Sequence, residues 1–135
     1  MTWLIDTNVL SASLDPGRHP KVQDWLAGHA EDSVLSVITI GELTRGLVRI
    51  STRDGRFAAR LHRWQQQLEA DWADRIIPIT VEIARSWGDL SARLGRNDPD
   101  LLIAATAHIY GLTVATRNTR HFEGTGVALC NPWDD

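Results

Sequence analysis

Asp6, Glu42 and Asp100 are the residues whose type and placement offer chemistry in this chain. Asp6 ends the apolar stretch TWLI and is followed at once by Thr7 and Asn8. A charge at the end of a buried strand is costly unless it is paired, hydrogen-bonded or bound to a metal. Glu42 falls in TIGEL and Asp100 in NDPDLL, each within the first turn of an expected helix. Thr116 and Asn118 follow the apolar segment LTVA. Carboxylates brought together repel one another unless a cation intervenes. Mg²⁺, with Mn²⁺ as the alternative, suits oxygen ligands and water. Such an ion generates a nucleophile from water and stabilises charge on a phosphodiester under in-line attack.

Each acid also has a structural reading. Glu42 stands three residues after Thr39, the spacing of a capping box. Asp100 at a helix start is favoured by the helix dipole alone. Asp6 and Asn118 are both common turn residues. The five histidines, His19, His29, His62, His108 and His121, lack zinc-ligand spacing, and a single cysteine gives them no cluster.

The elements that must position these groups follow from periodicity. TWLI reads as a buried strand, HPKVQDWLAGHA as a helix and SVLSVI as a second strand. The next helix starts at the Thr39–Glu42 pair and carries Ile40, Leu43 and Leu47 on its buried stripe. A further helix over Gly55–Ala73 places Phe57, Leu61, Trp64, Leu68 and Trp72 on one face. IIPI is a short strand, and Thr80 caps a helix with Ile83, Trp87, Leu90 and Leu94 in register. Asp98 as N-cap, Pro99 at the first position and Gly111 at the end bracket the clearest helix. LTVAT and GVALC complete the strands. Alternating strands and helices predict an α/β fold, a mostly parallel sheet covered on both faces. In such a sheet ligands gather beyond the carboxyl ends of the strands, where the acids fall.

Composition bounds the rest. The 135 residues suffice for one domain, 1–135, and 43% hydrophobic with 23% charged residues is a globular balance. One cysteine, Cys130, excludes an intramolecular disulfide and fits a reducing compartment. No signal-peptide pattern or membrane-length apolar run is present, so a cytoplasmic, membrane-free protein is expected. A net charge of −3 argues against a nonspecific nucleic-acid coat. Yet Arg45, Arg49, Arg53, Arg56, Arg60 and Arg63 crowd between Gly41 and Trp64. Guanidinium forks suit phosphate, and a polyanionic substrate follows.

The motifs also resemble a known family. LIDTNVL, ITIGELTRG, PDLLIAATA and LTVATRNTRHF with GVALCNPW are similar, in order and over nearly the whole chain, to the PIN-domain family and its VapC-type toxins. The resemblance implies a three-layer α/β/α sandwich and a metal-dependent endoribonuclease of a bacterial toxin–antitoxin pair. It implies a homodimer neutralised by a cognate VapB-type antitoxin, with operator DNA bound only through that complex. RNA, including transfer RNA, is the implied substrate class, cleaved to a 5′-phosphate and a 3′-hydroxyl. By motif, Asp6, Glu42 and Asp100 would hold Mg²⁺ or Mn²⁺, with Thr116 and Asn118 completing the catalytic set. Asn118 stands where many members carry a fourth acid, and it cannot supply that charge. Asn8, Arg45, Arg49 and Arg117, nearest the motifs, are the candidates for substrate contact.

Two other classes compete. A weakly active or inactive subunit, acting as part of an antitoxin-dependent DNA-binding complex, is favoured only by the neutral Asn118. An aspartyl-phosphate hydrolase would suit Asp6, but Asn8 replaces the second acid of its opening motif, and no lysine follows Lys21.

Overall fold

The computed structural model describes residues 1–15 and 17–134. Its strands are β1 (Trp3–Ile5), β2 (Ser33–Ser36), β3 (Ile76–Ile77), β4 (Thr113–Ala115) and β5 (Ala128–Cys130). The helices are α1 (Thr7–Ser11), α2 (Pro20–His29), α3 (Val37–Ser51), α4 (Gly55–Asp71), α5 (Val81–Leu94) and α6 (Pro99–Tyr110). The strands form one sheet in the order β3-β2-β1-β4-β5, and every pairing is parallel.

Period-two alternation along these short strands separates the two cores. Leu4, Val34 and Val114 point to one face, where they pack with Ile83 and Leu90 of α5, Ile103 of α6, and Phe122. Ile5, Leu35 and Ala115 point to the other, against Val9, Leu10, Val22, Leu43, Leu68 and Trp72. Helices on both faces complete the expected α/β/α layering. Trp25 and Trp64 sit half-buried against the second core.

The strand order reverses at β1. The chain steps outward through β2 and β3, then returns to lay β4 and β5 on the other side of β1. A crevice opens at such a reversal, beyond the carboxyl ends of the central strands. Asp6 directly follows β1 and Thr116 directly follows β4, so the topology delivers both to this crevice.

Several local expectations change. SVLSVI is strand only to Ser36, because Ser36 caps α3: its hydroxyl accepts the Ile38 N–H at 3.0 Å. The capping box at Thr39 and Glu42 is therefore absent. Thr39 lies inside the helix, fully buried, and its hydroxyl has no hydrogen-bond partner among the described residues. Its spacing to Glu42 mimicked a cap one turn too late. A Ser36→Ala change is expected to destabilise the fold by about 1 kcal/mol. Thr39→Val, which replaces an unsatisfied hydroxyl with a methyl of the same shape, is expected to be neutral or stabilising. Thermal melts of the two variants check this, and a capping role for Thr39 would reverse the ranking.

IIPI forms only a two-residue strand. The α4 helix ends at Asp71 rather than Ala73, with Asp54 capping its start through the Phe57 N–H at 3.1 Å. α6 begins and ends where Asp98, Pro99 and Gly111 predict, and Gly111 takes φ 66° to close it. Asp98 caps through its backbone position alone, since its carboxylate is taken by two 2.6 Å bonds from Arg96.

Candidate active site

Asp6 is 4% exposed and is the N-cap of α1, its Oδ1 accepting the Thr7 N–H at 2.9 Å. The turn reading and the pocket reading of Asp6 are thus compatible, because capping occupies only one of its two oxygens. Oδ2 accepts the Thr116 hydroxyl at 2.7 Å and the Asn8 amide at 3.1 Å. Thr116 is fully buried, and its oxygen receives N–H bonds from Asn118 at 3.0 Å and from Asn8 at 3.2 Å. With both lone pairs taken, its proton is directed to Asp6. Asn8 ties the assembly together, its Oδ1 accepting the Arg117 backbone N–H at 3.0 Å. Two stretches of chain more than one hundred positions apart in sequence therefore fix one carboxylate.

Glu42, half-buried on α3, accepts the Thr7 hydroxyl at 2.9 Å. Asp100, in the first turn of α6, pairs with His121 Nδ1 at 2.9 Å. The short turn Thr119–Phe122, which directly follows Asn118, brings His121 to Asp100 of α6. Burial pushes the Glu42 carboxyl above its usual pKa, the Thr7 hydroxyl opposes this, and the charges on Asp6 and Asp100 add to it. Asp100 is likewise pushed up by burial and by Asp6, with His121 pulling the other way. The charge on Asp6 is thus felt by both Glu42 and Asp100, and that on Asp100 by Glu42.

All three line one cavity of about 500 Å³. Thr7, Asn8, Arg117 and Asn118 share its wall. Of the other sequence candidates, Arg45 on α3 is exposed but eases the charge on Glu42. Arg49, exposed in the last turn of α3, is not part of the cavity wall. Sequence reasoning missed Ser11, His19, His121 and Trp133, which also line the cavity. His121 follows Asn118 at i+3, a spacing that carries no metal signature. His19 and Trp133 are 114 positions apart and meet only in the fold.

Among the described residues, no three Asp, Glu, His or Cys side chains are grouped as a ready-made ion cage. The donor chemistry nevertheless fits a hard cation. Mg²⁺ keeps several waters and needs only one or two direct carboxylates. Two of the three acids here are ionised at a cost that a cation would offset.

Residues 3–127 match the PIN domain family. The chain belongs to the PIN-domain family. It is 35% identical to Toxin FitB of Neisseria gonorrhoeae, over 98% of this chain and 99% of that protein. It is 33% identical to VapC ribonuclease Y4jK of Sinorhizobium fredii, with 97% of each covered. A solved structure of FitAB bound to the IR36 DNA fragment superposes with a TM-score of 0.82 at 34% identity, covering 98% of this chain and 96% of that one. Within the PIN-domain family the chain is therefore of the VapC toxin type found in toxin–antitoxin systems. No helix among its described residues is long and apolar enough to cross a membrane.

A second cavity of about 350 Å³ adjoins the acidic one, sharing Thr7, Ser11 and Glu42. It runs between α3 and α4 and is lined by Leu43, Leu47, Ile50, Phe57, Leu61 and Trp64. An apolar trough thus opens directly onto a carboxylate.

Proposed function

We propose that this PIN-domain chain is a metal-dependent endoribonuclease that hydrolyses RNA phosphodiester bonds and is neutralised by a cognate antitoxin. The observation that carries this reading is the placement of Asp6 at the sheet's switch point, in one cavity with Glu42 and Asp100. Similarity to a VapC ribonuclease supports the substrate class.

In this reading Asp6, Glu42 and Asp100 hold Mg²⁺ or Mn²⁺. The ion, when bound, supplies an acidified water and charge neutralisation at the phosphorus. Thr116, Asn8 and the Thr7 N–H keep Asp6 fixed through the reaction, which spares the site reorganisation. Thr7 orients Glu42 through its hydroxyl, and His121 orients Asp100. Arg117 at the cavity wall meets the phosphate backbone, and Asn118 offers neutral amide contacts where an acid would add charge. Cleavage leaves a 5′-phosphate and a 3′-hydroxyl.

The apolar trough between α3 and α4 fits an amphipathic antitoxin segment, with a basic side chain of that segment reaching Glu42. The FitAB–DNA assembly supports operator binding through the toxin–antitoxin complex, and a homodimeric toxin completes this arrangement. Asn118 is the one feature that favours a weakly active subunit. Asn118→Asp is expected to lower the Mg²⁺ concentration needed for half-maximal cleavage, and a metal titration of cleavage rate checks this. An unchanged titration would remove Asn118 from the metal's surroundings.

The test of the reading is incubation of antitoxin-free chain with total RNA, with and without Mg²⁺ or Mn²⁺. Fragments bearing 5′-phosphates, formed only with metal, are expected. Intact RNA under every condition would favour the regulatory-subunit reading.

A further inference from the structure

Besides its acidic groups, the cavity wall carries His19, Arg117 and Trp133, which meet one another. The Trp133 indole N–H donates to His19 Nδ1 at 3.2 Å, and the two rings lie edge to face at 82° with centroids 5.8 Å apart. An indole N–H only donates, so Nδ1 is the acceptor and the imidazole proton sits on Nε2. The Arg117 guanidinium lies over the Trp133 ring, 4.9 Å from its centroid. Trp133 is itself held by an N–H bond to Asn131 Oδ1 at 3.0 Å, and it packs on the second core. The indole is thus a rigid brace with a cation on its face and an oriented imidazole on its edge. None of these contacts serves the carboxylates.

We propose that His19, Trp133 and Arg117 form a nucleotide-positioning rim that holds the residue next to the scissile phosphate in single-stranded RNA. Arg117, braced on Trp133, takes the flanking phosphate. His19, aligned by the indole, stacks against the adjoining base. Trp133 is a positioning residue that acts through the other two. The chemistry matches the ligand: a phosphate is an acceptor and meets a guanidinium fork, while every base presents a π face to a flat ring. Stacking of this kind tolerates sequence and selects for unpaired nucleotides. A purely structural clasp between the C-terminal segment and the turn before α2 would need no arginine on the indole and no place in the cavity wall. The inference rests on the ribonuclease reading, and its test separates the two.

The probe is a 5′-fluorescein 12-nucleotide RNA of mixed sequence, alongside the same backbone with abasic residues throughout. Anisotropy is measured with Ca²⁺ present, and parallel gels verify intact probe. Wild-type chain is expected to bind the RNA about tenfold more tightly than His19→Ala does, in line with loss of one stacked base. The abasic strand is expected to bind wild type and His19→Ala alike. Trp133→Phe keeps a ring under Arg117 but removes the N–H to His19, so it is expected to follow His19→Ala in RNA binding, with a melting transition verifying that it is folded at the assay temperature. In cleavage assays both variants are expected to raise KM and leave kcat nearly unchanged. Equal RNA binding by wild type and His19→Ala would overturn the rim while leaving metal-dependent cleavage standing. Equal loss on RNA and abasic strands would also overturn it, by removing the base contact. A wild-type chain that neither binds nor cleaves the RNA would overturn the rim and the ribonuclease reading together.

Discussion

Asp100→Asn and Asp6→Asn are each expected to abolish RNA cleavage, with a loss exceeding about a hundredfold. Outer-shell partners of metal ligands alone are worth about 10- to 100-fold, so removing a direct charge costs more. The two variants differ in what else they disturb. Among the described residues the Asp100 carboxylate bonds to His121 alone, and replacing it relieves repulsion with Asp6 and Glu42. Its fold is expected to be as stable as wild type or more so. Asp6 accepts bonds from Thr7, Asn8 and Thr116, and an amide there would set a donor against the Asn8 amide. Some stability is expected to be lost in Asp6→Asn, together with order around Arg117. Cleavage rates read beside thermal melts separate the effects. Undiminished cleavage by well-folded Asp100→Asn would exclude the acid from the site.

Metal-free chain is expected to lose stability as pH rises through mildly acidic values toward neutrality, and Mg²⁺ is expected to restore it. The sign follows from two carboxyls whose folded pKa lies above the unfolded one. Glu42 and Asp100 are both raised, chiefly by burial, so the folded state holds more protons than the unfolded chain between those values. Their contribution is most favourable below the unfolded pKa and is lost as pH climbs through the folded one. Asp98 works in the opposite sense at lower pH: its bond from Arg96 depresses its pKa and stabilises the fold until acid protonates it. A stability maximum on the acidic side of neutrality results. Glu42→Gln removes one of the two raised groups and is expected to flatten the neutral-pH decline and weaken Mg²⁺ stabilisation. Melting curves between pH 4.5 and 8, with EDTA or Mg²⁺, are the check, and a window of roughly this span covers ordinary carboxylate titration. Stability that rises steadily to neutral pH without metal would contradict the shared-charge account.

The layers and the acidic rim were legible because they depend on coarse signals. Strand–helix alternation and the Asp98–Pro99…Gly111 bracket specify elements whose ends are set by local chemistry. Asp6 was found because it follows an apolar strand, which in a parallel sheet means the carboxyl edge, and Glu42 and Asp100 because each stands near an expected helix start. Helix starts with two candidate caps were not legible. Ser36 and Thr39 both precede helical residues, and only burial of Thr39 against the core decides between them. The hydrogen bonds to Asp6 were also hidden, since Asn8, Thr116 and Arg117 meet through sheet order rather than spacing. His121 and Trp133 were missed for the same reason. Their roles come from a short turn and a C-terminal segment that carry no periodic pattern.

The central claim is that Asp6, Glu42 and Asp100 share a cation, and Mn²⁺ binding followed by electron paramagnetic resonance tests it without reference to turnover. Wild-type chain is predicted to bind Mn²⁺ saturably, with Mg²⁺ in competition, and His19→Ala to bind it equally well. Folded Asp100→Asn is predicted to lose this binding. Saturable Mn²⁺ binding that survives in Asp100→Asn, or that wild type lacks, would contradict the account.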